Sequence, residues 1–252
     1  MKNLLFLLLS LILSAAGLTA QAPDASSDIN ASQPAWFSNQ PYFGFAWGPG
    51  WSKQHINYEY VFDEPFQPGR VYSFAFQLGY PLSGALSWQL ELGLTEHGYR
   101  VEGTSIDSGV KIRAKADARL RYLELPLSLT YRLPVGSKNV EVLGLAGLNS
   151  GYAVSGSVVA RGKGENETRK VSTKVTEKIP LKDTAFSERL DAALLLGAQV
   201  VYHSGFGAVF AEARYHFGIL NLERNTEVII NPGGGTAYNR TLLLRVGYRH
   251  AL

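Results

Sequence analysis

From Tyr42 onward the chain alternates. Large apolar or aromatic residues recur at every second position: Tyr72, Phe74, Phe76, Leu78 and Tyr80; Trp88, Leu90, Leu92 and Leu94; Leu123, Leu125, Leu127, Leu129, Tyr131 and Leu133. The same holds for Leu194 to Tyr202, Val209 to Phe217 and Leu242 to Tyr248. Phe43, Phe45 and Trp47 start a further run, and Val140 to Leu148 forms a less regular one, blurred by Val142-Leu143 and Leu145-Ala146. A period of two means strands with one apolar face. The pattern predicts eight.

The second face separates two kinds of barrel. A soluble barrel is apolar inside and carries Lys, Glu and Asp outside. Here the positions between the large residues hold mostly Gly, Ala, Ser, Thr and Gln, with a few Glu and Arg. Small residues suit a crowded interior, and large ones suit lipid. Connection lengths give an independent test. Short links (Pro81–Ala85, Pro134–Lys138, His203–Phe206) alternate strictly with long ones (Trp51–Gly69, Gly98–Ala118, Gly151–Phe186, Leu222–Tyr238), into which strands can continue beyond the membrane. Short periplasmic turns and long outer loops are the outer-membrane arrangement. Aromatics near the strand ends (Trp36, Tyr42, Tyr80, Trp88, Tyr131, Tyr202, Tyr248) fit an interfacial girdle. The fold class that follows is all-β: an eight-stranded antiparallel up-and-down transmembrane β-barrel after a cleaved signal peptide.

The N-terminus sets the domain plan. Lys2, the apolar run Leu4–Leu13 and the small residues ending in Ala20-Gln21-Ala22 have the three parts of a secretory signal. Residues 1–20 read as signal peptide, 21–40 as a flexible periplasmic leader and 41–252 as the barrel. Composition then changes little. Mean hydropathy is −0.03, but that average sums two unlike faces. The absence of Cys excludes a disulfide scaffold, a zinc ribbon, a thiol enzyme and a lipidated N-terminal Cys. With 24 Lys and Arg against 21 Asp and Glu, charge gives no reason to expect nucleic acid.

The segment Arg121-Tyr122-Leu123-Glu124-Leu125-Pro126-Leu127-Ser128-Leu129-Thr130-Tyr131-Arg132 resembles a strand of the PorT-like outer-membrane barrels of Bacteroidetes, and Gln89–Leu94 with His97-Gly98-Tyr99 resembles the preceding region. The resemblance implies an eight-stranded outer-membrane barrel. It brings no agreed catalytic residues.

An eight-stranded interior is just filled by side chains. The inward polar residues Gln77, Gln89, Glu91, Glu124, Arg132, Glu212, Arg214, His216, Arg245 and Arg249 therefore read as a lumen network of buried ion pairs. Pro126 lacks a ladder donor and marks a local break, and Glu124 beside it is expected to accept from a neighbouring Arg. Of the histidines, His203 and His250 fall at the periplasmic end, and His97 and His55 approach the outer rim. Glu96, His97 and Ser105 can be drawn as a triad, but no hydrolase, metalloprotease or phosphate-loop motif supports catalysis. The third long loop is basic (Arg161, Lys163, Arg169, Lys170, Lys174, Lys178, Lys182), with Val171, Thr173 and Val175 giving a weak strand pattern. Expected partners are outer-membrane lipid and lipopolysaccharide, the barrel-assembly machinery and a surface or secretion protein. No cofactor is expected. The leading function is non-enzymatic: structural, adhesive or assembly-accessory, acting through the outer loops. The alternatives are an accessory of type IX-like secretion and a lipid-modifying enzyme.

Overall fold

The computed structural model describes residues 40–57, 67–107, 110–134, 139–165, 170–178, 189–220 and 236–252. The signal and leader, the triple-glycine tip at 233–235 and Trp36 lie outside these residues. Among the described residues nine strands are formed: β1 (Tyr42–Asn57), β2 (Gln67–Ser83), β3 (Leu86–Asp107), β4 (Val110–Leu133), β5 (Val140–Glu165), β6 (Lys170–Lys178), β7 (Leu190–Ser204), β8 (Gly207–Gly218) and β9 (Thr236–Ala251). All neighbours are antiparallel. Eight of the strands close a ring, in which β4 pairs β5, β5 pairs β7 and β9 returns to β1. β6 stands outside the ring as a hairpin arm on the upper part of β5.

The ring is staggered. Followed pair by pair from Phe43, the register passes through Leu78, Leu90, Leu127, Leu148, Leu194, Phe217 and Arg240, and returns to β1 at Lys53. That offset of ten residues tilts the strands by about 40° and leaves a lumen of side-chain width. Alternation supplies the rest. Phe45, Trp47, Phe74, Phe76, Leu92, Leu127, Leu129, Leu196 and Val246 project outward. Phe76 is 61% exposed, which is ordinary for a lipid face and untenable in water over so wide a band. Gly84, with φ of 46°, turns β2 into β3, a conformation that L side chains rarely adopt.

Two expectations are corrected here, and one irregularity is explained. Gly98–Ala118 and much of Gly151–Phe186 are not loops: β3, β4 and β5 are 22, 24 and 26 residues long and continue as a projecting sheet past the last lipid-facing residues. Tyr42 is not in the girdle, because it shares the inward phase of Gly44 and Ala46 and its hydroxyl donates to Gln89 Oε1 at 2.9 Å. The irregular run in β5 arises because Leu143 and Leu145 point inward, where they are buried, while Ala146 points out. With Ala46, Val201, Ala208 and Phe210, Leu143 forms a small apolar cluster inside the barrel. The break at Pro126 is present on one side only. The β3–β4 ladder skips Leu125 and Pro126, whereas Pro126 still faces Asn149 on β5.

Candidate functional site

Inward positions from all eight strands of the ring stack into layers of polar side chains. In the middle layer two carboxylates meet two guanidinium groups. Glu91 Oε1 accepts from Arg214 Nη2 at 2.5 Å, and Glu91 Oε2 accepts from Arg245 Nη1 at 2.9 Å. Glu212 Oε1 lies 2.9 Å from Arg214 Nε and 2.7 Å from Arg245 Nη2. All four side chains are at most 2% exposed. A charge so desolvated needs a partner and hydrogen bonds to its remaining lone pairs. Gln77 and Gln89 donate to Glu91, and Gln199 donates to Glu212. The layer is neutral as a whole.

Below it, toward the short turns, Arg249 donates to Gln89 at 3.0 Å and to Gln199. Its guanidinium is sandwiched between the rings of Tyr42 and Phe210, 4.6 and 4.5 Å from their centroids, a favourable cation–π geometry. At the mouth Glu141 holds both Arg132, at 3.2 Å, and His203, at 3.1 Å.

Above the middle layer the chemistry changes. His97 Nε2 lies 2.7 Å from Glu124 Oε1, and its Nδ1 lies 2.9 Å from Thr241 Oγ1. Asn149 Nδ2 donates to the same Glu124 oxygen at 2.8 Å and lies 3.4 Å from His216 Nδ1. Higher still, Asn239 donates to Asp191 at 2.8 Å; on the opposite face of the wall Arg100 pairs with Asp117 at 2.7 Å.

Of the polar residues placed inward from the sequence, Gln77, Gln89, Glu91, Glu124, Glu212, Arg214, His216, Arg245 and Arg249 are buried and lie in these layers. Arg132 sits at the periplasmic mouth. Two placements are corrected. His97 is not at the outer rim but 2% exposed in the lumen, and Glu124 lies against His97, Asn149 and Thr95, not against an arginine. The drawn triad does not assemble, because neighbouring strand residues face opposite sides: Glu96 points away from His97 and pairs with Arg121 at 3.0 Å. Sequence reasoning missed Asn149, Gln199, Thr241, Tyr42 and His97 as network members. For His97 the signal was present, since it continues the inward phase Gln89, Glu91, Gly93, Thr95.

A family model described as "Outer membrane protein beta-barrel domain" matches residues 32–224. No curated protein matches the chain. Among solved structures, the attachment invasion locus protein Ail of Yersinia pestis is 14% identical, with 84% of this chain and 99% of that one covered at a TM-score of 0.36. Neisserial surface protein A is 14% identical over 84% and 97%, at 0.39. The outer membrane protease OmpT of Escherichia coli is 9% identical over 86% and 98%, at 0.31.

Proposed function

This chain belongs to the family of outer-membrane protein β-barrel domains and resides in a bacterial outer membrane, and from that premise we propose that it is a non-enzymatic barrel, sealed in its lumen, which presents a basic β-sheet at the cell surface to the phosphate groups of lipopolysaccharide. The observation that carries this reading is a row of like charges. Lys115 of β4 stands opposite Arg161 of β5, and Arg161 stands opposite Lys174 of β6. Directly opposed residues share a face, so three cations lie side by side on the projecting sheet. Glu102 answers Lys115 at 2.6 Å. Among the described residues Arg161 and Lys174 have no acidic partner. Like charges across a ladder weaken a sheet, so the fold offers no reason for the row, and a polyanion does. The charge is also local. The stretches 98–107, 110–121, 155–165 and 170–178 hold eleven Lys and Arg against five Asp and Glu, in a chain with 24 against 21.

The likeness of Arg121–Arg132 to the PorT-like barrels belongs to the same proposal, as the narrower family within which the chain falls. It adds no catalytic residue.

The test is titration of the barrel, held in zwitterionic nanodiscs, with lipopolysaccharide. Binding should weaken steeply with salt. Arg161→Ser combined with Lys174→Ser should lower affinity about thirtyfold, at about 1 kcal/mol per cation near an anionic surface. An affinity indifferent to both salt and the double variant would overturn the reading.

A further inference from the structure

Glu124, like Asp191, is a lumen carboxylate without a permanent cation. Among the described residues no Lys or Arg pairs with it, in contrast to Glu91, Glu212 and Glu141. Its neighbour is His97, whose protonation the network decides. Thr241 Oγ1 gives its one proton to Ser52 Oγ at 2.9 Å. It must therefore accept from His97 Nδ1, also at 2.9 Å, so the ring carries a proton on Nδ1. That leaves Nε2 facing Glu124 Oε1 at 2.7 Å. A nitrogen lone pair and a carboxylate oxygen repel at that distance. Either a second proton lies between them, or the pair opens by about 0.7 Å to share a metal ion.

His216 carries the argument further. It is 1% exposed, yet Nδ1 has only the 3.4 Å contact with Asn149 and Nε2 has no hydrogen-bond partner among the described residues. A buried ring nitrogen left unsatisfied is unfavourable. Its ligand atom lies with those of His97 and Glu124 inside a span of 4.8 Å. One ion answers both anomalies, the facing lone pairs and the orphaned imidazole.

We propose that His97, Glu124 and His216 form a site for one divalent first-row transition-metal ion of the zinc class. Two imidazoles and one carboxylate are the ligand set such ions take. Around an ion at about 2.1 Å from each donor the ligand atoms stand about 3.4 Å apart, so binding opens the 2.7 Å contact of His97 with Glu124 by about 0.7 Å and draws His216 in toward them. Thr241 is the positioning residue: by fixing the Nδ1 proton it aims the free Nε2 at the site. The ligands come from β3, β4 and β8. The ion therefore ties two neighbouring strands to one across the lumen, a structural role inside a sealed barrel.

The experiment refolds the untagged chain in detergent with Zn2+, dialyses away loose metal and measures retained zinc by mass spectrometry. One ion per chain is expected, with an X-ray absorption spectrum showing N/O ligands and two imidazoles. His216→Gln should lower affinity at least about tenfold, Thr241→Val about 10–100-fold, and His250→Gln not at all. Folding of each variant is read from heat-modifiable gel mobility. If His216→Gln does not fold, the Thr241→Val affinity and the wild-type spectrum decide. A wild-type barrel that folds and retains no zinc overturns the proposal, with a proton then filling the gap. So does zinc held equally by folded His216→Gln, or a spectrum without imidazole.

Discussion

Arg214 and Arg245 each bridge Glu91 and Glu212, so no member of this quartet can be removed alone without leaving a buried charge short of its partner. Arg214→Met should destabilise the barrel by about 3–5 kcal/mol, read by urea unfolding in lipid vesicles with tryptophan fluorescence. Glu91→Leu in the same chain should recover part of that loss, because a double-mutant cycle separates the stranded charge from the pair itself. A loss no smaller in the double variant than in Arg214→Met would mean that the quartet's charges are not coupled. At this scale the sequence revealed sides but not partners. Alternation placed Glu124 and Arg249 in the lumen. It could not place Glu124 beside His97, 27 positions away, or Arg249 beside Gln89, 160 away. Those meetings depend on the stagger of the ring, which a period of two does not encode.

Strands differ in how plainly they declare themselves. β2 and β8 are legible because lipid and lumen demand opposite residues at each step. β5 is blurred where Leu143 and Leu145 fill the lumen beside small residues. The outer half of β4 is legible in its alternation, since Lys111, Arg113, Lys115, Asp117, Arg119 and Arg121 alternate with Ile112, Ala114, Ala116, Ala118 and Leu120, but its density of charge imitates a loop. The end of the lipid band along each strand can be measured. Leu127→Arg, midway along the outward row of β4, should cost about 2–4 kcal/mol of folding stability in bilayers. Val175→Arg, on the β6 arm, should stay within about 0.5 kcal/mol. Equal costs at both positions would mean that the arm is immersed in lipid.

The whole molecule is a plugged cylinder. With the Glu91–Glu212 layer across its middle and Arg249 wedged between Tyr42 and Phe210 below, no continuous water path fits an eight-stranded ring. Planar-bilayer recordings should therefore show no stable open level, while the same preparation shifts its gel mobility on boiling. A persistent large conductance would contradict the filled lumen. The seam of the cylinder has a kinetic consequence. β1 pairs β9 from Tyr42↔Ala251 upward, and Leu252 N–H donates to Pro41 O at 2.8 Å, so the closing contacts join residues separated by nearly the whole barrel. Such contacts carry the greatest loop-closure entropy and form late. Until they form, two rows of peptide groups face hydrocarbon with nothing to bond, a state the bilayer penalises severely. Insertion and closure are thus a single event for this chain, and a catalyst that lends a temporary strand edge would lower its barrier more than one that merely thins the membrane.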